Sequence, residues 1–401
     1  MTPSPATTLP ATAPASSLTR LEALRADSSN RGRLLQAALE QIDRIGIDNI
    51  TASDLIGQAG VSRSTLYSYF GEVLGVLAEV WAECGAEWLQ QVVDDPTAAH
   101  RDRSIDAAMV ALLCTARRAP LLHEVVQPDV EALWADLATR GPIGQMKAIW
   151  LLAALIGTEL TVPIMPEASV VEGLTALVAS MPDNVAQLVG SLDEALQTNG
   201  PTTHSPVLLP DDSVTARLTK AAVEVVASSG LEAASMMRVC RVARLSTGAA
   251  TPRFAGLRAL HERAFAEANA EVIRSNADQF ARFVNVLSPP DVNALYVRSS
   301  LSESRRLWRN YRRELHLAAR HDADLATMMR TAFSDSNRSL RNALSRSEAP
   351  AVVIDVAIMF NQVYSVGLGA VADLGLPVDS FDHRIVVRWL YLHVIGQPPT
   401  T

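Results

Sequence analysis

Apolar residues near the start of the chain recur at the spacing of an amphipathic helix. From Leu34 to Ile45 they follow one another at steps of three and four, which places them on one face. Gly46 then stands where a glycine commonly ends a helix. Thr51 can cap a second, shorter helix, and Gly60 occupies a position where a tight turn needs left-handed backbone. The pattern predicts two helices followed by a turn.

A third helix is predicted directly after this turn, in the stretch SRSTLYSY that begins at Ser62. Ser62 is a good N-cap, and at about 100° per residue Leu66 and Phe70 share the buried face. Arg63 adds a cation in the first turn. Small hydroxyl residues lie opposite the buried face and two phenols flank it: Ser64, Thr65 and Ser68, with Tyr67 and Tyr69. Such a surface suits the groove of a DNA duplex, where small side chains approach base edges and phenols reach phosphates.

The same plan returns 184 positions later without a gap. Gly46 falls on Gly230, and Ser62 falls on Ser246, with matching apolar positions between them. A stretch rich in Pro and Thr between the two copies is typical of a linker. We therefore predict an all-α fold of two repeats. Each repeat has a small N-terminal three-helix unit and a larger apolar helical unit.

The predicted organisation has six parts along the chain. They are a disordered tail (1–27), a first helix-turn-helix unit (28–90), a helical effector and dimerisation unit (91–198), a linker (199–212), a second, degenerate helix-turn-helix unit (213–275) and a second helical unit (276–401). The tail is predicted from its Pro, Ala and Thr content, which cannot bury enough apolar surface to fold.

The second unit has lost parts of the motif. Arg244 replaces the turn glycine, which costs about 1–2 kcal/mol in left-handed backbone, and Pro252 predicts that the third helix ends near Ala250. Charge favours the second unit, because residues 31–90 hold 4 Lys/Arg and 8 Asp/Glu whereas residues 215–274 hold 9 and 5. We expect it to be degenerate or to bind only the phosphate backbone; base reading is the alternative. The possible second DNA contacts are Ser246, Thr247 and Arg253.

Composition narrows the classes of function. The 401 residues are 48% apolar and only 5% aromatic, and a net charge of −8 leaves any DNA contact to local patches. Cys84, Cys114 and Cys240 are predicted to be buried small hydrophobic residues in a reducing cytoplasm, which is the expected location. The sequence has no phosphate-binding glycine loop, nucleophile motif or metal-ligand spacing, so we expect neither an enzyme nor a cofactor or metal site. The most apolar run, Ala148 to Met165, is too short for a membrane span.

Residues Arg31 to Leu77, with TASDLIGQAGVSRSTLYSYF at their centre, resemble the DNA-binding domain of the TetR family of bacterial repressors. The resemblance implies a three-helix DNA-binding domain joined to an all-helical domain that binds a small effector and dimerises. Val73 stands where the family usually has a lysine, so one phosphate anchor is missing. Arg31 and Arg33 are candidates for a further backbone or minor-groove contact. By this resemblance the phosphate contacts are Thr51, Ser62, Tyr67 and Tyr69, and the base-facing residues are Arg63, Ser64, Thr65 and Ser68.

Members of this family bind DNA as two-fold dimers, which leaves two arrangements for a chain with two units. The chain can form an intrachain pseudo-dimer, which fusion favours by raising the local concentration of one half around the other. Otherwise two chains form a homodimer. The expected partners are a double-stranded DNA operator and a small apolar or amphipathic effector, with no membrane. The rival hypothesis is a ligand-sensing or interaction protein of this fold that no longer binds a specific operator.

Two features of the larger helical units are candidates for ligand chemistry. Apolar side chains proposed to line an effector cavity are Trp134, Met146 and Trp150 in the first half and Met328, Phe360 and Tyr364 in the second. Ordinary core packing is the favoured alternative. The basic segment SRRLWRNYRRELHLAARHDAD interleaves five arginines with Leu307, Trp308 and Tyr311. A solvated helix face is the favoured interpretation, and contact with nucleic acid or an acidic ligand is the alternative.

Overall fold

Helices form all the regular structure in the part of the chain that this computed structural model describes. The described residues are 19–96, 102–166, 171–189, 213–283, 287–344 and 351–395. No β-strand occurs within these ranges, which confirms the predicted all-α fold. The three cysteines are buried and free, as predicted. The predicted linker 199–212 and residues 1–18 lie outside the described residues.

Four helices build the N-terminal unit. They are α1 (Thr19–Ala26), α2 (Asn30–Ile45), α3 (Ala52–Ala59) and α4 (Arg63–Phe70), with a 3-10 turn at Ile47–Asn49. The prediction of a disordered tail over residues 1–27 is wrong for α1. Leu21 and Leu24 are buried in the core, and the carboxylate of Glu87 accepts hydrogen bonds from the backbone N–H groups of Thr19 and Arg20, each at 3.0 Å. A carboxylate at a helix N-terminus satisfies donors that the helix leaves free, so tertiary contacts order this segment.

The first large helical unit follows without a break. Its helices are α5 (Val73–Asp94), α6 (Arg103–Ala116), α7 (Pro120–Ala138), α8 (Gly141–Thr161), α9 (Val171–Ala179) and α10 (Val185–Leu188). Helix α5 runs through the predicted boundary at residue 90 and so joins the two units as one rigid element. Among the described residues, α8 is long and apolar enough to cross a membrane, but 72% of its apolar window is buried inside the protein. It is the central helix of the core.

The described residues of the second half also form helices. Its helices are α11 (Val214–Ser229), α12 (Met236–Val242), α13 (Thr247–Ala250), α14 (Leu257–Phe283), α15 (Pro289–Leu301), α16 (Arg306–Ala319), α17 (Ala323–Leu344), α18 (Ala351–Asp373) and α19 (Arg384–Ile395), with 3-10 turns at Glu303–Arg305 and Val378–Ser380. Three shorter helices therefore precede a long one, as α2 to α4 precede α5. Helix α14 crosses the predicted boundary at residue 275, just as α5 crosses the earlier one.

The two halves pack against each other along α8 and α18. The two backbones lie very close because each helix has a glycine at the contact. A Cβ atom on Gly157 would collide with the carbonyl group of Val363, and one on Gly367 would collide with that of Ala153. Buried residues of both halves form one continuous hydrophobic core. The N-terminal and C-terminal parts of the described chain therefore share one core.

Ion pairs tie the N-terminal unit to the second half. Arg118, just after α6, donates to Asp48 at 2.7 Å and to Glu314 of α16 at 2.9 Å. Arg320, just after α16, donates to Asp43 of α2 at 3.0 Å. Burial raises the pKa of Glu314, and the neighbouring Arg118 opposes this shift. Helix α16 also packs along α11 of the second half. It is linked to the N-terminal unit by the ion pairs of Glu314 and Arg320.

Candidate nucleic-acid interface

Local hydrogen bonds fix the turn between α3 and α4. Thr51 caps α3, since its hydroxyl accepts from the backbone N–H of Asp54 while the Asp54 carboxylate accepts from the N–H of Thr51 at 3.0 Å. This reciprocal arrangement is a capping box. Gly60 ends α3 in left-handed backbone at φ 62°, and the N–H of Val61 then donates to Ile56 at 3.2 Å. The predicted turn and its glycine are confirmed.

Helix α4 is held by one cap and one buried anchor. The hydroxyl of Ser62 accepts from the N–H of Thr65 at 3.1 Å, which satisfies a donor of the first turn. The side chain of Leu66 is fully buried among α2, α3 and α5. The rest of the helix is therefore free to face outward.

The outward side of α4 is exposed as predicted. Tyr67 and Tyr69 are 42% and 55% exposed, although tyrosine side chains of this size are usually more covered. Of the proposed DNA contacts, Thr65 is partly buried and the others are exposed: Thr51, Ser62, Arg63, Ser64, Tyr67, Ser68 and Tyr69. The structure thus brings seven of the eight residues together on the α4 surface, with Thr51 at the start of α3.

Internal hydrogen bonds already orient several of these side chains. The guanidinium group of Arg63 lies 5.6 Å from the ring centroid of Tyr67 and donates to its hydroxyl at 3.4 Å. The hydroxyl of Ser68 donates to the carbonyl oxygen of Thr65 at 3.0 Å. The hydroxyl of Thr51 donates to Asp54 at 2.6 Å, so its proton is used within the capping box. A phosphate contact by Thr51 would have to displace this bond.

The arginines upstream of α3 serve the protein itself. Arg31 forms ion pairs with Glu79 and Glu83 of α5, the second at 2.5 Å, and these hydrogen bonds raise its pKa. Arg33 donates to the side chain of Asn30 at 2.6 Å. The interpretation of Arg31 as a DNA contact is therefore not supported. Sequence spacing gave no sign of the two glutamates because they lie about fifty residues away in α5.

In the predicted second unit, the backbone at the turn has the same conformation as in the first. Its cap residue Ser246 has φ −80° and ψ 157°, the same angles as Ser62. Arg244 occupies the left-handed position at φ 54°, as its alignment with the turn glycine predicts. Helix α13 then ends at Ala250, ahead of Pro252, which confirms the predicted end. It is one turn long, and Ser246 makes no side-chain cap hydrogen bond.

The surface of the second unit is cationic. Four arginine side chains on α12, the turn and the end of α13 are exposed: Arg238, Arg241, Arg244 and Arg253. Arg253 donates to the carbonyl oxygen of Ala249 at 2.8 Å, which leaves part of its guanidinium group for another partner. Ser246 and Thr247 are exposed beside it. In the first unit, Arg63 is the one arginine that stands on the corresponding face among the described residues.

The predicted effector residues pack into the core. Trp150 and Tyr364 are fully buried with ring centroids 4.8 Å apart, at the contact of the two halves. Met146 is buried, and Trp134 packs edge-on against Phe381. Met328 is partly buried, whereas the Phe360 side chain lies outside the described residues. Two cavities found among the described residues are lined by other side chains, which favours the core-packing alternative.

The arginines of the basic segment mostly face inward, so the interpretation as a solvated helix face is wrong. Arg305 and Arg313 are each only 3% exposed, and the Arg309 side chain is 9% exposed. The cause is packing, because helices α8, α11, α17 and α18 surround α16. The spacing of Arg305, Arg309 and Arg312 was the available signal, since steps of four and three are those of a buried stripe. These three side chains line the larger cavity.

An all-helical protein with an exposed, capped reading helix after a glycine turn has the form of a helix-turn-helix DNA-binding protein. Residues 34–80 match the family model of bacterial regulatory proteins of the tetR family. This match covers α2 to α4 and the beginning of α5. It supports a DNA-binding transcription regulator of the TetR type. A comparison with curated proteins found no match.

Proposed function

We propose that this protein is a cytoplasmic, ligand-responsive repressor that binds a double-stranded DNA operator through α4. The observation that carries the proposal is the outward face of α4. Tyr67 and Tyr69 project from it, 42% and 55% exposed, beside a row of small hydroxyl groups. Burying such phenols would be favourable in a helix used only for structure, so their exposure is best explained by an external partner.

Under this proposal some residues of α4 contact phosphates and others contact base edges. Ser62, Tyr67 and Tyr69 bind phosphates at the margins of the groove, with Thr51 adding a contact once its hydroxyl turns from Asp54. The base-facing residues are Arg63, Ser64, Thr65 and Ser68, because small side chains and one fork-shaped cation can approach base edges. Arg63 must leave the Tyr67 ring to do so.

We also propose that one chain supplies both halves of the usual dimer. The matching angles at Ser62 and Ser246, and the close packing of α8 on α18, support two repeats related as subunits are. The second unit, through Ser246, Thr247 and Arg253, holds the phosphate backbone and does not read bases. An effector would release DNA by favouring a spacing of the two units that does not fit the operator.

The first test measures binding to DNA from the promoter region of the chain's own gene. Tyr67→Phe and Tyr69→Phe each remove one hydroxyl and keep the ring, so each should weaken binding about tenfold, the value of a hydrogen bond to a charged group. Tyr391→Phe is the matched control, because that hydroxyl accepts from Asn293 far from α4. Equal affinity of all three variants and the unchanged protein would contradict the proposal. Absence of any specific binding would favour the rival sensor hypothesis.

A second test separates base reading from backbone binding. Arg63→Ala should reduce the preference for operator over random DNA. Arg253→Ala should weaken binding to both equally and lower the slope of log affinity against log salt by about 1. One chain should bind one operator, and the footprint should be asymmetric because the two units differ. A palindromic footprint with two chains bound would indicate a homodimer instead.

A further inference from the structure

The larger cavity of the second half is surrounded by buried guanidinium groups. It is partly open to solvent and lies between α15, α16 and α18. Arg305, Arg309, Arg312 and Arg313 contribute to its wall. Gly369 makes room for one of them, since a Cβ atom there would lie 2.9 Å from Cδ of Arg309.

Among the described residues, Asp373 is the one carboxylate that forms ion pairs with these four arginines. It accepts from Arg313 at 2.7 Å and from Arg309 at 3.4 Å. Glu314 and Glu303 also interact electrostatically with the cluster, but they pair with Arg118 and Arg306 outside it. The cluster therefore holds more positive than negative charge, and because buried charge without a counter-charge is costly, an anion would be stabilised there.

The other two arginines have only neutral partners. Arg305 donates to the hydroxyl of Ser275 at 2.8 Å. Arg312 donates to the amide oxygen of Gln362 at 2.6 Å and lies 4.9 Å from the ring centroid of Phe333. Burial lowers the pKa of Arg312 to about 10, so this guanidinium still carries its charge at neutral pH.

Donor atoms in the cluster remain unused. The buried Nε atoms of Arg309 and Arg313 have no hydrogen-bond partner among the described residues. Guanidinium groups present paired N–H donors in a planar fork, which matches the two oxygens of a carboxylate or phosphate. Tyr296 and Trp308 supply an aromatic wall beside the donors.

We propose that this cavity binds the anionic head group, a carboxylate or a phosphate, of a small ligand. The ligand's less polar part would lie against Tyr296 and Trp308. This assigns the effector to the arginine-lined cavity of the second half and not to the aromatic cluster at the contact of the two halves.

Helix α16 connects the cavity with both DNA-binding units, so ligand binding could change their positions. This step rests on the proposed function. One side of α16 carries the cavity arginines, and the helix packs along α11 of the second unit. At its end, Arg320 pairs with Asp43 of α2, and Glu314 pairs with Arg118, which also holds Asp48. A ligand that draws the arginines inward would move a helix that both units contact.

The test measures thermal unfolding of the full chain without DNA. Inorganic phosphate and benzoate are compared with chloride at equal ionic strength, each up to about 20 mM. Wild type should show a saturable rise in the unfolding midpoint with at least one of the two probes. Arg305→Met and Arg312→Met should raise the half-saturating concentration at least about tenfold, as expected for loss of one charge-assisted hydrogen bond.

Arg306→Met is the matched control. It removes an exposed arginine next to the cluster that pairs with Glu303 at the surface, and it should leave the response to the probes unchanged. In chloride, Arg312→Met should unfold at the same temperature as wild type or higher, because it removes a buried charge that lacks a counter-ion.

Two results would overturn the proposal. One is an unfolding midpoint that neither probe raises above the chloride value. The other is an equal response of wild type, Arg305→Met and Arg312→Met. Because the assay contains no DNA, failure here leaves the operator-binding proposal standing, and loss of operator binding would leave the anion site standing.

Discussion

The contact between α8 and α18 is the most sensitive point of the structure to a single methyl group. In Gly367→Ala, the new Cβ would lie 2.6 Å from the carbonyl carbon of Ala153 and 2.9 Å from its Cα. Carbon atoms in contact prefer about 3.5–4.0 Å, so the two helices must separate by about 1 Å locally. These two atoms and the nearer carbonyl oxygen of Ala153 all belong to the backbone, so no side-chain rotation relieves the clash.

Overpacking of this kind costs about 1–3 kcal/mol, and a backbone clash belongs at the upper end of that range. For a chain of this length unfolding as one unit, the entropy of unfolding is about 0.8 kcal/mol/K, so 3 kcal/mol lowers the midpoint by about 3–4 °C. Differential scanning calorimetry of the full chain measures this shift. Operator affinity should fall as well, since the contact sets the relative position of the two halves.

Gly173→Ala is the matched control for this substitution. Gly173 lies in α9 with open space around the position of a Cβ, so alanine should add about 0.5–1 kcal/mol through helix propensity. Opposite signs for the two glycine-to-alanine changes would confirm the close approach. If Gly367→Ala matched wild type in both midpoint and operator affinity, the packing of the halves described here would be wrong.

Two further predictions concern single groups. Arg244→Gly should raise the free energy of unfolding, measured in urea, by about 1 kcal/mol, because left-handed backbone at φ 54° costs a non-glycine residue about that much. An unchanged free energy of unfolding would show that Arg244 is not strained. Burial lowers the pKa of His261 from 6.5 to about 4, so the unfolded chain binds more protons between those values and stability falls as the pH drops through that window. His261→Leu should therefore make stability less dependent on pH, by up to about 1.4 kcal/mol per pH unit. Urea unfolding at pH 7 and 4.5 measures this change. The control His123→Leu, at an exposed position, should leave the pH dependence as in wild type.

The parts of the fold that sequence patterns predicted are those decided by local rules. Caps, turn glycines and helical periodicity involve residues within a few positions of one another. Sequence patterns therefore predict the capping residues Thr51 and Ser62, the turn at Gly60 and the end of the helix before Pro252. The left-handed backbone at Arg244 followed from its alignment with a glycine.

The errors all involve partners that are distant along the chain. Helix α1 forms because Glu87 caps it and the core covers its leucines, so its composition alone was misleading. The sequence offers Arg31 as a candidate DNA contact, but α5 supplies two glutamates that pair with it. The arginines of α16 were assigned to solvent because an amphipathic pattern distinguishes two faces without saying what covers the polar one. In a chain whose halves pack together, both faces are covered.

In the proposed tandem arrangement, fusion would explain how one DNA-binding unit can decay while the protein keeps its proposed function. In a homodimer of identical chains, a change such as Arg244 or Pro252 would damage both reading heads at once. In a single chain it damages one, at a cost of about 1–3 kcal/mol, which is comparable to a single base contact. Under that proposal the intact unit would locate the operator and hold the altered unit nearby at an effective concentration of about millimolar. At that concentration exposed arginines would be enough to hold phosphates, so cationic charge on the second unit would matter more than its fit to the groove. The net charges of −4 over residues 31–90 and +4 over residues 215–274 have the signs that this division of roles requires.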